Sequence, residues 1–200
     1  MSILLENLTG EALQRALPDL ARLRIKVFRE WPYLYDGSME YEEEYLASFA
    51  KAEGSLIVAA LDGREIIGAA TATPLRSHTQ SFIPLFEEHG YDPDRVFYFG
   101  ESVLTREYRG KGIGNAFFDW REEHALNSTG PKGPYEHTAF CAVVRPHDDP
   151  RRPAHYRPLD PFWTKRGYRI VDGMIGKLSW KDIGEPEETE KPMQFWIRPL

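Results

Sequence analysis

The strongest constraint on this chain is a largely apolar run, Val96 to Leu104, that leads into the glycine-rich loop Arg109 to Gly114 (sequence RGKGIG). The run is apolar on both alternating faces, which predicts a strand covered on both sides. Beyond the loop, a helix starting near Gly112 is predicted by residues that recur at helical spacing, namely Ile113, Phe117, Trp120 and His124. The stretch therefore predicts a strand, a glycine loop and a helix in direct succession.

This succession is typical of an anion-binding site. The free N–H groups in the first turn of a helix point outward, and the helix dipole favours negative charge there. Gly112 and Gly114 have no Cβ, so a phosphate can come close to the backbone. The loop is predicted to hold a phosphate or pyrophosphate; the alternative is a tight strand-to-helix turn without a ligand.

Two well-known phosphate loops do not fit the sequence. A P-loop requires Ser or Thr after its lysine, but Gly112 follows Lys111. A dinucleotide fingerprint, G-x-G-x-x-G, started at Gly110 would need its third glycine where Asn115 stands. The pattern that remains is Arg-x-x-Gly-x-Gly at the end of a buried strand.

Composition predicts one globular domain over residues 1–200, with 42% hydrophobic and 28% charged residues. The net charge of −6 argues against nucleic acid as the main partner. Cys141 is the only cysteine and lies in an apolar run, which predicts a buried structural thiol and a reducing compartment. The sequence contains no basic-then-apolar leader and no apolar run near 18 residues, so we expect a cytoplasmic protein that does not enter the membrane.

Periodicity and turn residues predict the remaining elements. Strands are predicted at Ser2 to Glu6, Ser55 to Leu61, Glu65 to Thr73, His137 to Val144, Tyr168 to Trp180 and Met193 to Leu200. Helices are predicted after the caps Thr9 and Ser38, at Ser77 to His89, and as a short turn at Phe162 to Arg166. Pro18 predicts a break in the first helix near Ala16 and Leu17, and the charged stretch Asp182 to Lys191 predicts an exposed connection.

The glycine loop, preceded by Glu107-Tyr108, resembles the pyrophosphate loop of the GNAT superfamily of acetyl-CoA-dependent N-acetyltransferases. The late segment Phe162 to Tyr168 (FWTKRGY) resembles the family's Leu-Tyr-x-x-x-Gly-Phe helix. The order of elements also matches, with one helix inserted before the central strand. The resemblance therefore implies an α/β (α+β) GNAT fold: a mixed, mostly antiparallel sheet with one splayed parallel strand pair and helices on both faces.

The resemblance also implies acetyl-CoA as co-substrate and no metal. The pantetheine arm would lie in the gap between the splayed strands Val96 to Leu104 and His137 to Val144, bonded by backbone groups near Val103 and Leu104. The pyrophosphate would be held by the loop residues Arg109, Gly110, Lys111, Gly112, Ile113, Gly114 and Asn115. His147 or Asp148 stands where the family often has an Asn that contacts the cofactor, a departure from the pattern.

The implied reaction is the direct attack of an amine on the acetyl thioester, for which a base must remove a proton. Glu101 is the best candidate, and we expect it to share a strand face with Phe97, Phe99 and Val103. Its alternative identity is a strand-end carboxylate paired with an arginine. His147 and Asp148 are weaker candidates, and backbone N–H near Val103 could stabilise the oxyanion.

The general acid is less clear. In many relatives a tyrosine on the late helix protonates the departing thiolate, and this position falls on Trp163, whose indole N–H does not give up its proton at neutral pH. We therefore consider Trp163 a cofactor contact and Tyr156 a candidate acid. Tyr156 could equally be structural, and solvent could supply the proton.

The acceptor is predicted only as a class. The aromatic residues Trp31, Tyr33, Tyr35 and Tyr41 could line an acceptor site or cap the sheet, and the acidic helix after Ser38 could attract a cation or be solvated. We expect a small-molecule or peptide amine as partner and leave a homodimer open. The alternative function is a catalytically idle acyl-CoA-binding sensor or interaction module.

Overall fold

The computed structural model describes residues 3–78 and 80–200. Within these ranges the strands are β1 (Leu4–Asn7), β2 (Leu56–Asp62), β3 (Glu65–Pro74), β4 (Val96–Leu104), β5 (Thr129–Gly130), β6 (Gly133–Pro134), β7 (His137–Val143), β8 (Arg169–Trp180) and β9 (Thr189–Pro199). The helices are α1 (Gly10–Phe28), α2 (Met39–Lys51), α3 (Leu75–His78), α4 (Ile83–Glu88), α5 (Ile113–Leu126) and α6 (Asp160–Lys165). Short 3-10 helices cover Gln80–Phe82, Pro93–Arg95 and Arg106–Tyr108.

Strands β1 to β4 and β7 to β9 form one mixed sheet in the order β1-β2-β3-β4-β7-β9-β8, and β5 and β6 form a separate small hairpin. Neighbouring strands of the large sheet are antiparallel except for β4 and β7, which are parallel. The crossover between these two strands is α5, as a parallel pair requires. The predicted fold class is therefore confirmed.

Both faces of the sheet are covered because each strand alternates apolar side chains between two cores. On one face, α1 and α2 bury Leu20 and Phe49 against residues such as Val103 of β4. On the other, α5 and α6 pack against Phe97 and Phe99 of β4. The central strand is thus buried on both sides, as its continuous apolar sequence predicts.

The parallel strands β4 and β7 separate soon after they meet. In the described chain they pair from Val96 and His137 as far as Tyr98 and Ala139. Beyond that point β4 continues to Leu104 and β7 to Val143 without pairing to each other. A gap between the carboxyl halves of the two strands is the result.

A β-bulge in β4 lies beside this gap. Ala72 of β3 faces Phe99 and Ala70 faces Ser102, so two steps along β3 correspond to three along β4. Gly100 is required here, since a Cβ at this position would lie 2.6 Å from the hydroxyl of Thr71. The amide of the extra residue, Glu101, is satisfied by the same hydroxyl at 3.2 Å.

The bulge changes the face on which Glu101 lies. Phe97 and Phe99 pack toward α5, whereas Glu101 contacts Arg24 of α1 on the opposite face, which it shares with Val103. The predicted common face for all four β4 residues is therefore wrong, because strict alternation does not survive an inserted residue.

Two helix predictions also need correction. Helix α1 continues through Pro18 without a break near Ala16 and Leu17, and its buried side chains keep one apolar stripe on the sheet on both sides of the proline. Between β3 and β4, the predicted single helix Ser77 to His89 consists of α3, a 3-10 turn and α4, where Pro84 occupies the first turn of a new helix. Ser2 and Thr79, which fall in two of the predicted elements, lie outside the described residues.

The stretch predicted as an exposed connection has two buried charged ends. Asp182 and Lys191 are both buried, and Asp182 accepts two hydrogen bonds from Arg145, at 2.7 and 2.9 Å. Lys191 donates to the carbonyl oxygens of Trp180 and Thr189. The charged sequence of this stretch favoured an exposed connection. No local pattern indicates the burial of Asp182, because its partner Arg145 is distant in sequence.

Among the described residues, no helix combines the length and apolarity needed to cross a membrane.

We expect Asp182→Asn to lower the free energy of unfolding by about 3 kcal/mol, because it leaves the buried guanidinium of Arg145 without its counter-charge. Urea unfolding followed by tryptophan fluorescence measures this. The exposed pair Lys177–Glu190 provides the control, since Glu190→Gln should change stability by less than about 0.5 kcal/mol. Equal losses in the two variants would contradict the assigned role of Asp182.

Candidate active site

The glycine loop has a backbone suited to an anion. Gly110 and Gly112 adopt positive φ angles of 78° and 87°, which side chains other than glycine rarely accept. Gly112 is the N-cap of α5 and can offer no side chain to the first-turn amides of that helix. A Cβ on either glycine would meet nothing within 4 Å in the described chain, so open space lies over the loop.

The loop side chains are held from outside the loop. Arg109 donates to the carbonyl oxygen of Leu104 at 3.1 Å and pairs with Glu30 at 3.0 Å. Lys111 places its Nζ 4.7 Å from the ring centre of Tyr108. Asn115 accepts a hydrogen bond from Arg166 at 3.1 Å. The backbone amides of Ile113, Gly114 and Asn115, which precede the first intrahelical donor Ala116, therefore remain the groups that face outward at the helix start.

The register of β3 and β4 decides which β4 amides face the gap. Thr105 donates to Ile67 of β3 at 3.0 Å, and hydrogen-bonded pairs alternate along an antiparallel ladder. Val103, two residues earlier, therefore turns its N–H toward β3, while Ser102 and Leu104 turn theirs toward the gap. Of the amides near Val103, where an oxyanion donor is expected, those of Ser102 and Leu104 thus face the gap.

Arg121 of α5 forms hydrogen bonds to the bulge from the α5 face of the sheet. It is buried, and it donates to the Glu101 carbonyl at 3.2 Å, to the Thr71 carbonyl at 3.4 Å and to the Ser102 hydroxyl at 2.9 Å. Burial lowers the pKa of its guanidinium to about 10, so it stays charged at neutral pH. Arg121 therefore satisfies the backbone oxygens that the bulge takes out of the ladder.

Glu101 lies in a buried charged group rather than among apolar side chains. Its carboxylate pairs with Arg24 of α1, which also pairs with Glu42 of α2. The hydroxyl of Tyr45 lies 3.4 Å from the other Glu101 oxygen. Pairing with an arginine, the alternative that the sequence left open for Glu101, is present.

Tyr33 lies in the loop between α1 and α2 and packs against the core cluster that includes Val96 and Tyr98 of β4. A hydrogen bond joins its phenol to the backbone of Val143 of β7. Its backbone oxygen accepts hydrogen bonds from Arg145 and Trp180 at 2.8 and 3.0 Å. Burial, followed by the proximity of Cys141, Tyr156 and Glu101, raises the pKa of the Tyr33 phenol, so it keeps its proton. Its neighbour Cys141 is buried beside the hydroxyl of Tyr98 at 3.1 Å, and burial raises the pKa of this thiol to about 12.

Tyr156 and Trp163 occupy different surroundings. Tyr156 is half-buried against the edge of Trp31, with ring centres 6.1 Å apart, and burial raises the pKa of its phenol. Trp163 packs edge-on to Phe140 and Trp196, at 5.0 and 5.2 Å, within the core beside α5. Tyr156 therefore lies beside Trp31, whereas Trp163 is partly buried against the aromatic core next to α5.

The segment after β7 is ordered by a residue that sequence reasoning passed over. His147 and Asp148 are exposed. The next residue, Asp149, accepts three hydrogen bonds from Arg151, which lower the pKa of the carboxyl to about 2. The described contacts of Asp149 are thus those of a structural carboxylate.

Of the aromatic residues considered for an acceptor wall, Tyr33 and Tyr35 pack into a core and Tyr41 is exposed. Sequence reasoning missed Arg24 and Arg121. A signal for both exists: each is a charged residue at a core-facing position of an amphipathic helix.

Residues 20–132 match the family described as Acetyltransferase (GNAT) family. This range contains α2, the bulged strand β4, the glycine loop and α5. Among curated proteins, none is a significant match to the sequence.

Several solved structures share the fold. Ribosomal-protein-alanine N-acetyltransferase from Brucella melitensis is 14% identical with a TM-score of 0.61, covering 98% of this chain and 99% of that one. NAA60 from Arabidopsis thaliana, in complex with acetyl-CoA, is 16% identical with a TM-score of 0.61, covering 100% and 99%. PaiA N-acetyltransferase from Thermoplasma acidophilum, in complex with coenzyme A, is 12% identical with a TM-score of 0.54, covering both chains completely.

Proposed function

The chain belongs to the GNAT family of acetyltransferases, and on this basis we propose that it is an N-acetyltransferase which moves the acetyl group of acetyl-CoA to a primary amine by direct attack. The observation that carries the proposal is the splay between β4 and β7 beside an open glycine loop at the start of α5. We take residues 1–200 as a single catalytic domain.

The residues present suit an acyl-CoA. Amides at the start of α5 offer hydrogen bonds and a positive dipole end to a pyrophosphate. Ser102 and Leu104 direct unpaired amides toward the gap, where an extended pantetheine arm would bond like a further strand. Two of the solved structures that share the fold are complexes with acetyl-CoA and with coenzyme A, which agrees with this proposal.

Each proton in the proposed reaction has a named donor and acceptor. An ammonium acceptor gives one proton to the Glu101 carboxylate, and the freed amine then forms its C–N bond to the thioester carbonyl carbon. The Leu104 amide stabilises the negative charge that develops on the carbonyl oxygen. As the C–S bond breaks, Tyr156 gives its proton to the sulfur and regains one from the new amide nitrogen. The Glu101 proton leaves to solvent.

A second candidate function remains, an acyl-CoA-binding module without turnover. It is favoured by the pairing of Glu101 with Arg24 and by the core position of Trp163, where many relatives have a tyrosine. A thiol-release assay with acetyl-CoA and a panel of amines separates the two functions. The panel should include polyamines and amino sugars. It should also include peptides with a free N-terminus, because one solved structure of this fold is a ribosomal-protein-alanine N-acetyltransferase.

The single buried thiol is consistent with a reducing compartment such as the cytoplasm.

Acetyl-CoA should stabilise the protein by about 2.7 kcal/mol at a hundredfold excess over Kd, measured as a rise in melting temperature. Gly112→Asp should remove this rise, because a carboxylate at the helix start repels the pyrophosphate. Gly112→Ala is the matched control, since it carries the same backbone strain at positive φ without the charge. A normal acetyl-CoA shift in Gly112→Asp would exclude the loop as the phosphate site.

Glu101→Gln should lower kcat roughly 100-fold with the acetyl-CoA melting shift unchanged, because the amide cannot accept the acceptor's proton. Steady-state thiol release with the best amine of the panel measures this. Glu122→Gln is the control: Glu122 is also a buried carboxylate bonded to arginines, but it belongs to α5 on the other face. Unchanged turnover in Glu101→Gln would remove Glu101 from the mechanism.

Tyr156→Phe should lower kcat by about tenfold and leave the acetyl-CoA melting shift in place. The effect is smaller than that for Glu101 because a thiolate departs readily without full protonation. Tyr91→Phe, which removes a phenol remote from the gap, should keep the wild-type rate. Full activity of Tyr156→Phe would make Tyr156 structural.

A further inference from the structure

Three charged side chains from three elements meet on the α1–α2 face of the sheet. Arg24 of α1 contacts Glu42 of α2 through Nε and Glu101 of the β4 bulge through Nη1. The exposed fractions of the three side chains are 10%, 0% and 8% respectively. One guanidinium is thus shared by two buried carboxylates.

Further polar groups face this cluster from the elements around it. Tyr45 of α2 lies against Glu101 at 3.4 Å, and its ring centre is 4.4 Å from the Arg24 guanidinium carbon. Tyr33, in the loop between α1 and α2, is near enough to Glu101 for that charge to act on its phenol. Arg121 of α5 approaches from the opposite face and bonds the Glu101 carbonyl.

Glu42 is also in contact with a tyrosine from the loop between α1 and α2. Tyr35 lies beside it, and burial, together with the adjacent Glu42 carboxylate, raises the pKa of the Tyr35 phenol. Glu42 and Glu101 bond to different nitrogens of one guanidinium, Nε and Nη1. Glu42 influences Glu101 mainly through the arginine they share.

Stability alone gives little reason to bury such a cluster. Removing charges from water costs several kcal/mol for each ion, and replacing buried ion groups with apolar residues is often neutral or stabilising. Arg24 also occupies a position on the apolar stripe of α1, next to Leu20 and Leu23, where leucine would pack well. The bulge brings Glu101, the base proposed above, directly to this arginine.

We propose that Arg24 and Glu42 are positioning residues for Glu101: Arg24 fixes its carboxylate at the bulge, and Glu42 takes up part of the arginine's charge so that Glu101 can still accept a proton. The inference rests on the proposed function of Glu101 as base. Neither Arg24 nor Glu42 needs to touch the substrate.

The two partners should act on Glu101 in opposite directions. Without the Glu42 charge, Arg24 serves Glu101 alone and a like charge is gone, so Glu101 gives up its proton at lower pH. Without Arg24, the ionised form of Glu101 loses its counter-charge while Glu42 remains, so it holds its proton to higher pH. Charge alone predicts this opposition of the midpoints for any buried ion cluster, so a shift in the pH profile of kcat/KM is the readout that a purely structural role would not move.

The experiment is a pH titration of the Glu101 side-chain carboxyl by carbon-13 NMR in the full chain labelled with [13C]glutamate. The Glu101 signal is the one missing from Glu101→Gln. Its midpoint should fall by about 0.5 to 1 pH unit in Glu42→Gln and rise by about 1 unit or more in Arg24→Gln. Glu122→Gln, the matched buried carboxylate of the other face, should leave the midpoint within about 0.2 unit.

The pH profile of kcat/KM gives a second readout with the best amine of the panel. Its acidic limb should move in the same two directions, and the ionisation of the amine itself is common to all variants. If the NMR midpoint stays in place in both variants, or if both variants fail to fold, the cluster is structural and the inference is overturned. If only Arg24→Gln fails to fold, the Glu101 midpoint and the kcat/KM profile of Glu42→Gln test the inference by themselves.

The experiment distinguishes this inference from the proposed function. Loss of turnover in Glu101→Gln, with an unmoved Glu101 midpoint in Glu42→Gln, keeps the base and removes the positioning role. Full turnover in Glu101→Gln would show that Glu101 is not the base. The cluster would then have no role in catalysis, whether or not the Glu101 midpoint shifts in the other variants. Opposite shifts of both the midpoint and the acidic limb of kcat/KM, together with loss of turnover in Glu101→Gln, support both.

Discussion

The separation of β4 from β7 is the constraint on which the rest of the molecule depends. Two parallel strands in mid-sheet normally satisfy each other's backbone groups, yet here they pair only from Val96 and His137 to Tyr98 and Ala139 in the described chain. The groups left over at the bulge are bonded by buried side chains, the hydroxyl of Thr71 and the guanidinium of Arg121. The remaining backbone of β4 and the start of α5 are then available to a ligand.

Two buried ionic groups hold the elements around this gap. On the α1–α2 side, Arg24 links both helices to the bulge. At the end of β7, Arg145 joins the backbone at Pro32 and Tyr33 to Asp182, which lies between β8 and β9. The loop between α1 and α2 is thus bonded through Arg145 to the end of β7, and the helices before and after it are joined through Arg24 to the bulge.

Periodicity and turn residues predicted most of the fold, because the information is local. The glycine loop and the apolar strand β4 could be recognised from neighbouring residues alone. The continuity of α1 through Pro18 depended on tertiary packing. The burial of Asp182 depended on an arginine 37 residues away in sequence, and the facing of Glu101 on one inserted residue. None of these has a signature within its own segment.

The site was predictable in part for the same reason. The glycine loop is a contiguous motif, so its position between β4 and α5 followed from sequence. Which β4 amide faces the gap depended on the register with β3, and the partners of Glu101 come from α1 and α2. A charged residue on an apolar helix stripe, as at Arg24, is the one sequence signal that could have indicated the cluster.

The bulge also divides β4 into two halves that differ in which alternate side chains face α5. From Val96 to Phe99, odd-numbered side chains face α5. From Glu101 onward, odd-numbered side chains face α1 and α2. One extra residue thus lets a single strand supply aromatic packing to one layer and a carboxylate to the other. Deleting a residue at Gly100 would exchange the faces of one half relative to the other, so the length of this strand is as strictly specified as its composition.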